Sequence, residues 1–266
     1  MSQKYGVKEV MDVTFYDIAT GNPVLHLDTL KMSNLENTAD EVSARGGRSN
    51  PELLVWDFNR EATMQLEDAL MSPKSFGLLS GNDVLEHSAQ DKATIYMRQN
   101  TIWEEVSGEM VNKGEFYPLV VKSGMELDLA FTPNEGAATL RIYKADEDGG
   151  SKLTVTSVTG KTVVIASGAE VGDEVVAYYT YDVEEAQTYR ITSDAFPGTY
   201  KIVGDTVIRN AKTGQDEPFQ VVVEKAKILS GFTMAFQADG DPSTFTMDIK
   251  VLREDDNPGM VRMVKY

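Results

Sequence analysis

Thr244-Phe245-Thr246-Met247-Asp248-Ile249-Lys250-Val251-Leu252 is the stretch that decides the fold class. Phe245, Met247, Ile249 and Val251 alternate with Thr246, Asp248 and Lys250. A period of two places every apolar side chain on one face of an extended chain, as in an antiparallel strand buried on one side only. The stretches upstream carry the same signal: Thr188 to Thr192, Thr199 to Val203, Phe219 to Glu224 and Ile228 to Gln237.

Strand signals also dominate the N-terminal part. Met11, Val13 and Phe15 alternate with Asp12, Thr14 and Tyr16, the turn residues Thr20-Gly21-Asn22-Pro23 follow, and Val24 to Met32 reads as the return strand of a hairpin. From Ser33 to Pro51 the periodicity is lost and the chain is polar, which reads as a long loop ending in Ala44-Arg45-Gly46-Gly47-Arg48-Ser49-Asn50-Pro51. Loops of that length inside a compact domain are usually functional or ordered by a partner. Beyond it Leu54, Trp56 and Phe58 share a face, and Ala62, Met64 and Leu66 continue it. A short helix is predicted over Pro73 to Leu79, with Ser72 as N-cap, Pro73 at the first helical position and Gly81 as the stop.

Further strands are predicted over Ala93 to Trp103, Glu115 to Val121 and Met125 to Phe131, before the break Thr132-Pro133-Asn134-Glu135-Gly136. Leu140 to Tyr143, Leu153 to Val158, Thr162 to Ala166 and Val175 to Asp182 then form short Thr- and Val-rich segments separated by Gly-bearing turns. That spacing suggests a small sandwich-like insert. The expected fold is all-β and antiparallel, a body in two chain segments, 1–136 and 183–266, around an insert at 137–182.

The chain has 266 residues and a formal charge of −17, from 42 acidic against 25 basic residues. That sign opposes a surface that grips phosphate backbones. The same carboxylates would keep the protein soluble, or would repel DNA from the wall of a passage. There is no cysteine, so disulfides, thiolate metal sites and cysteine nucleophiles are excluded. The N-terminus has no apolar signal core and no stretch approaches a membrane span, so a cytoplasmic site of synthesis is expected.

Chemistry-bearing patterns are scarce. His26 and His87 lie outside any metal-ligand or hydrolase spacing. Ser80 in Gly77-Leu78-Leu79-Ser80-Gly81 lacks the spacing of a nucleophile elbow, and no nucleotide-binding glycine pattern occurs. Asp146-Glu147-Asp148-Gly149 and Asp239-Gly240-Asp241 could offer oxygens to Ca²⁺ but read better as ordinary turns. Glu104-Glu105 and Glu184-Glu185 are adjacent, so in a strand they point to opposite faces and form no acid/base pair. No catalytic residue, metal or cofactor is expected. Arg45, Gly46, Gly47, Arg48 and Asn50 are the candidate contact residues between subunits, the alternative being that the arginines pair within their own subunit or face water.

The run Ala44 to Pro51 leading into Leu54-Val55-Trp56-Asp57-Phe58-Asn59-Arg60 and Leu66-Glu67-Asp68-Ala69-Leu70-Met71-Ser72-Pro73 resembles tailed-phage major tail, or tail tube, proteins. So do Asp194-Ala195-Phe196-Pro197-Gly198-Thr199-Tyr200 and Ala238-Asp239-Gly240-Asp241-Pro242-Ser243-Thr244-Phe245. The resemblance implies a virion structural protein, an antiparallel β-sandwich or barrel-like subunit with a short flanking helix, whose copies form hexameric rings that stack into a tube, with DNA passing through the lumen without specific binding. It implies other tail proteins as partners: a terminator, a baseplate and, in a contractile tail, a sheath. It also implies that the hairpin of Val10 to Met32 and the loop of Ser33 to Pro51 lie between subunits or rings. The segment 137–182 adds little to the likeness and is expected to decorate the outside as an immunoglobulin-like module or to enlarge the tube domain. A competing reading is a head-decoration or receptor-binding module that holds a glycan through Tyr178, Tyr179, Tyr181 and Tyr189.

Overall fold

The computed structural model describes residues 3–134, 136, 138–145, 152–234, 236, 238, 244–254 and 258–266. The chain is nearly all β and divides into two compact units, Met1–Val84 with Tyr189–Tyr266, and Leu85–Thr188.

The first unit holds β1 (Tyr5–Val7), β2 (Asp12–Asp17), β3 (Pro23–Leu27), β4 (Leu30–Arg45), β5 (Glu52–Asp68), α1 (Pro73–Ser80), β16 (Thr199–Asn210), β17 (Asp216–Ile228), β18 (Phe245–Val251) and β19 (Val261–Lys265); β6 to β15 belong to the second. Its antiparallel sheet runs β3-β2-β16-β17-β18-β5-β4, with β1 also on β16 and β19 also on β17. One edge of β17 serves two partners: Phe219 to Val223 pair with β19, and Ala226 to Ile228 pair with β18. The sheet thereby turns around one core. Phe15, Ile202 and Val223 enter it from one half, and Met64, Leu66, Met247 and Ile249 from the other. Among the described residues the sheet does not close: β3 and β4 end its path, and β1 and β19 are outer strands as well. The stretch quoted at the outset is β18, where the four apolar residues are buried and the three polar ones between them are half-buried.

Helix α1 forms where its caps place it. The Ser72 hydroxyl accepts from the Ser75 amide at 3.0 Å while Ser75 Oγ accepts from the Ser72 amide at 2.9 Å, a reciprocal capping box. Pro73 takes the first turn, and Gly81 ends the helix in the left-handed region. Phe76 and Leu79 are the apolar side chains it buries.

In the second unit, β6 (Leu85–Glu86) pairs β15 (Gln187–Thr188), and β8 (Trp103–Val106) pairs β9 (Glu109–Asn112). One sheet is β11 (Arg141–Lys144), β14 (Val175–Val183) and β7 (Ala93–Gln99); the other is β10 (Glu126–Asp128), β13 (Thr162–Ser167) and β12 (Thr154–Thr159). Leu127, Val163 and Ile165 from one sheet meet Ile142, Ala177 and Tyr179 from the other in a core of their own, the layering of a sandwich. The compact unit is therefore wider than the expected 137–182 insert, because β7 pairs β14 along its length and Leu119, Val121 and Leu129 share the same core.

Several expected boundaries shift. Ser33 to Pro51 is not a loop: β4 runs through it to Arg45 and pairs β5, leaving a short turn. Its strand pairing is carried by the backbone, which needs no apolar periodicity. Glu115 to Val121 contributes only isolated bridges at Pro118 and Val120, and Leu229 to Met234 lie outside any strand once β17 ends at Ile228. Of Thr188 to Thr192 only Thr188 is in a strand, and β1, β9 and β19 carry too few alternating residues to be read from sequence.

Candidate functional site

The lower half of the β4–β5 hairpin belongs to the body: Ala62, Met64 and Leu66 are buried, with Leu35 packed against them. The upper half, residues 52–61 of β5 with their partners on β4, is exposed throughout β5. This is a two-stranded arm that leaves the body. Its register slips between Thr38 paired with Glu61 and Asp40 paired with Phe58, so one extra residue is accommodated in β5. Asn59 takes it up in the left-handed region at φ 48°, where an asparagine is tolerated, and its amide donates to Asp40 Oδ2 at 3.1 Å. The bulge cuts the apolar stripe that alternation reads as continuous from Leu54 to Leu66.

Above the bulge, Phe58 pairs with Asp40, Trp56 with Val42 and Leu54 with Ala44. Directly paired residues share a face, so Leu54, Trp56, Phe58, Val42 and Ala44 form one apolar side of the arm. Trp56 is 53% exposed, and Leu54, Phe58 and Val42 are exposed as well. The opposite side, with Asp57 paired to Glu41 and Val55 to Ser43, is largely polar and acidic. A side chain as large as Trp left in water on an apolar strip is the mark of an interaction surface. Sequence alternation puts Leu54, Trp56 and Phe58 on one face but carries no sign of whether that face is covered; its exposure follows from the arm standing outside the layered body.

All five candidate contact residues come together at the tip. The Gly46 amide donates to the Pro51 carbonyl at 3.2 Å and the Asn50 amide to the Gly47 carbonyl at 3.2 Å, closing the turn. Gly47, Ser49 and Asn50 have positive φ, which explains a turn rich in Gly and Asn. Arg45 lies 3.4 Å from Glu52 in an exposed ion pair, whereas exposed Arg48 has no partner among the described residues. The tip thus offers a guanidinium at the end of an apolar strip.

Elsewhere the chemistry is structural. His26 is bonded to Thr14 Oγ1 at 2.9 Å on an exposed strand face, and the ring of His87 lies between the Asp91 carbonyl and Thr188 Oγ1. Glu104 is held by Lys113 at 2.9 Å and Glu184 by Lys92 at 2.7 Å. Ser80 Oγ donates to the Gly77 carbonyl. A concavity of about 590 Å³ lies over the outer side of β2, β16 and β17. In it Lys201 at 2.8 Å and Arg262 at 3.6 Å clamp Glu224, and the hydrogen bond from Lys201 holds that carboxyl below its ordinary value. Among the described residues no three His, Cys, Asp or Glu side chains cluster as metal ligands. Residues 146–149 and 239–241, the two acidic turns, lie outside the described residues.

Tyr179 and Tyr181 belong to the core of the second unit, Tyr181 stacked on Phe131 with centroids 4.0 Å apart, while Tyr178 is on the other face and Tyr189 is part of the first unit. No helix of the described residues is long and apolar enough to cross a membrane.

No curated protein matches the sequence. The model of the YomU/Tube protein family does match, over residues 5–264, and the chain belongs to that family, a family of phage tube proteins.

Proposed function

We propose that this protein is the repeating subunit of a phage tail tube, in which copies join side by side into hexameric rings and the rings stack around a channel for DNA. The observation that carries the reading is the arm: Val42, Leu54, Trp56 and Phe58 stand away from the body on one side of a two-stranded ribbon. A second copy is the natural cover for such a strip, because about half of each of these side chains is in water and burying the rest is worth about 1–1.5 kcal/mol apiece. The sheet adds a second support. The ends of its path, β3 and β4, have no partner on their outer side among the described residues, and a head-to-tail arrangement around a rotation axis gives both a neighbour. In this reading Arg45, Gly46, Gly47, Arg48 and Asn50 touch the adjoining copy, with Arg48 against its carboxylates. The net charge of −17 suits a channel that DNA traverses without adhering. Terminator and baseplate proteins would meet the two ends, and a sheath would surround a contractile tube.

The test is negative-stain microscopy and sedimentation velocity of the purified chain over a concentration series, with and without preformed tube ends as seeds. Rings or tubes are expected. The double variant Trp56→Asp, Phe58→Asp changes only exposed arm positions, so it keeps the wild-type circular dichroism and Tm but stays monomeric. A wild-type chain that remains monomeric even when seeded, and is absent from purified tails, overturns the reading.

A further inference from the structure

The β7 strand, Ala93-Thr94-Ile95-Tyr96-Met97-Arg98-Gln99, is the outer strand of the β11-β14-β7 sheet. On one side it pairs β14 from Ala93 to Gln99. On the other its backbone groups have no partner among the described residues. Edge strands are commonly blunted by lysine, proline or a bulge. This one contains neither residue and its register is unbroken. Its β-branched and aromatic composition suits pairing. Tyr96 is 87% exposed, and Arg98 is exposed with no ion-pair partner among the described residues.

The same unit also carries the complementary element. Hairpin β8–β9 is paired only within itself, closed by Ser107 and Gly108, both at positive φ. It is anchored to its unit by Trp103, edge-on to Phe131 with centroids 5.8 Å apart, and by Met110, whose sulfur lies 3.7 Å from Lys161 Nζ, but no strand pairs it beyond its own two among the described residues. The hairpin exposes Val106 and Val111, and its exposed Glu105 and Glu109 have no ion-pair partner among the described residues. Strand β8 follows β7 in sequence but cannot fold back on it. The connecting residues are bonded to another segment, Asn100 O to the Leu119 amide at 2.9 Å and the Ile102 amide to Tyr117 O at 2.8 Å. The β7 edge is thus open to a strand from another molecule.

We propose that β8 of one copy adds to the β7 edge of the next, so that the second units join head to tail, with Glu105 of the hairpin against Arg98 of the receiving strand. Backbone hydrogen bonds supply the attachment and the charge pair sets which edge is chosen. The contact is heterologous, so it rests on the ring reading above for the supply of successive neighbours.

Because the chain has no cysteine, the contact, taken as an antiparallel pairing with Glu105 opposite Arg98 and therefore Ser107 opposite Tyr96, can be tested in the full-length protein with Tyr96→Cys and Ser107→Cys and a short bis-maleimide. Under assembling conditions the double-cysteine protein should give a ladder of covalent multimers, and each single-cysteine variant none beyond background. Arg98→Glu should lower the ladder yield about fivefold, and adding Glu105→Arg should restore it, a rescue that a misfolded variant would not show. Tubes that form without a ladder overturn this contact and leave the tube reading standing. A ladder without tubes upholds the contact and overturns the tube. Efficient linking of Tyr96→Cys alone into dimers overturns it in favour of two-fold β7 pairing, and absence of both assembly and ladder overturns both.

Discussion

One phenol shows how much a single buried polar side chain settles. Tyr179 is 3% exposed in the second unit; its hydroxyl donates to Gln99 Oε1 at 2.9 Å and accepts from the Phe131 amide at 3.2 Å. Gln99 Oε1 also accepts from the Ala130 amide at 2.9 Å, so β14, β7 and the chain after β10 are joined through two side chains. Burial pushes the Tyr179 hydroxyl up to about 12, the Phe131 amide opposing it. The folded state thus excludes the phenolate, whereas the unfolded chain ionises near pH 10. The stabilising difference is fully present below about pH 10 and is lost as pH rises towards about 12, on the order of 2–3 kcal/mol in all. Urea unfolding of the wild type should show that loss across the window. Tyr179→Phe should be roughly 1 kcal/mol less stable at neutral pH and fall less steeply between pH 10 and 12. Alternation reads Tyr179 and Tyr181 onto one face and Tyr178 onto the other, as observed. Which face is the core is not legible there, because both carry aromatic rings.

At the scale of elements, α1 was legible and the arm was not, and the reason is where each one's determinants reside. The helix is set by short-range chemistry, Ser72, Pro73 and Gly81, all within its own sequence. Gly81 sits at φ +71°, and a Cβ there would lie 2.4 to 2.7 Å from the Phe196 backbone. Gly81→Ala should therefore cost about 3 kcal/mol, from the left-handed conformation together with overlap that backbone atoms cannot relieve. Gly21→Ala provides the control: φ is again +71° but nothing lies within 4 Å, so about 1 kcal/mol is expected. Urea midpoints of the two variants, read on the full chain, distinguish them. Glu36 to Glu41, by contrast, has no apolar period, because no layer of its own chain covers either side of the arm. The bulge at Asn59 further breaks the stripe on its partner strand. The five tip residues were found by composition, their turn chemistry being local, whereas the exposed Trp56 strip had no sequence signal separating it from core.

For the whole molecule the governing quantity is charge. With a formal charge of −17 on each copy, neighbours in any ring repel, and the ion pairs visible within the subunit are mostly exposed ones that contribute little. The attraction assigned to the arm is apolar, and moderate salt leaves apolar burial nearly unchanged while it shortens the reach of the repulsion to about 10 Å at 0.1 M. Raising sodium chloride from about 20 to about 300 mM should therefore promote assembly, lowering the concentration at which tubes pellet several-fold. Contacts made chiefly by Arg45 and Arg48 with a neighbour's carboxylates would respond in the opposite sense, dissolving as those pairs are screened. Pelleting assays across that salt range, on the wild type and on Arg45→Glu, Arg48→Glu, separate the two terms. If the tip pairs with carboxylates, the variant assembles poorly at low salt and approaches the wild type as salt rises, since screening removes the new repulsion along with the old attraction.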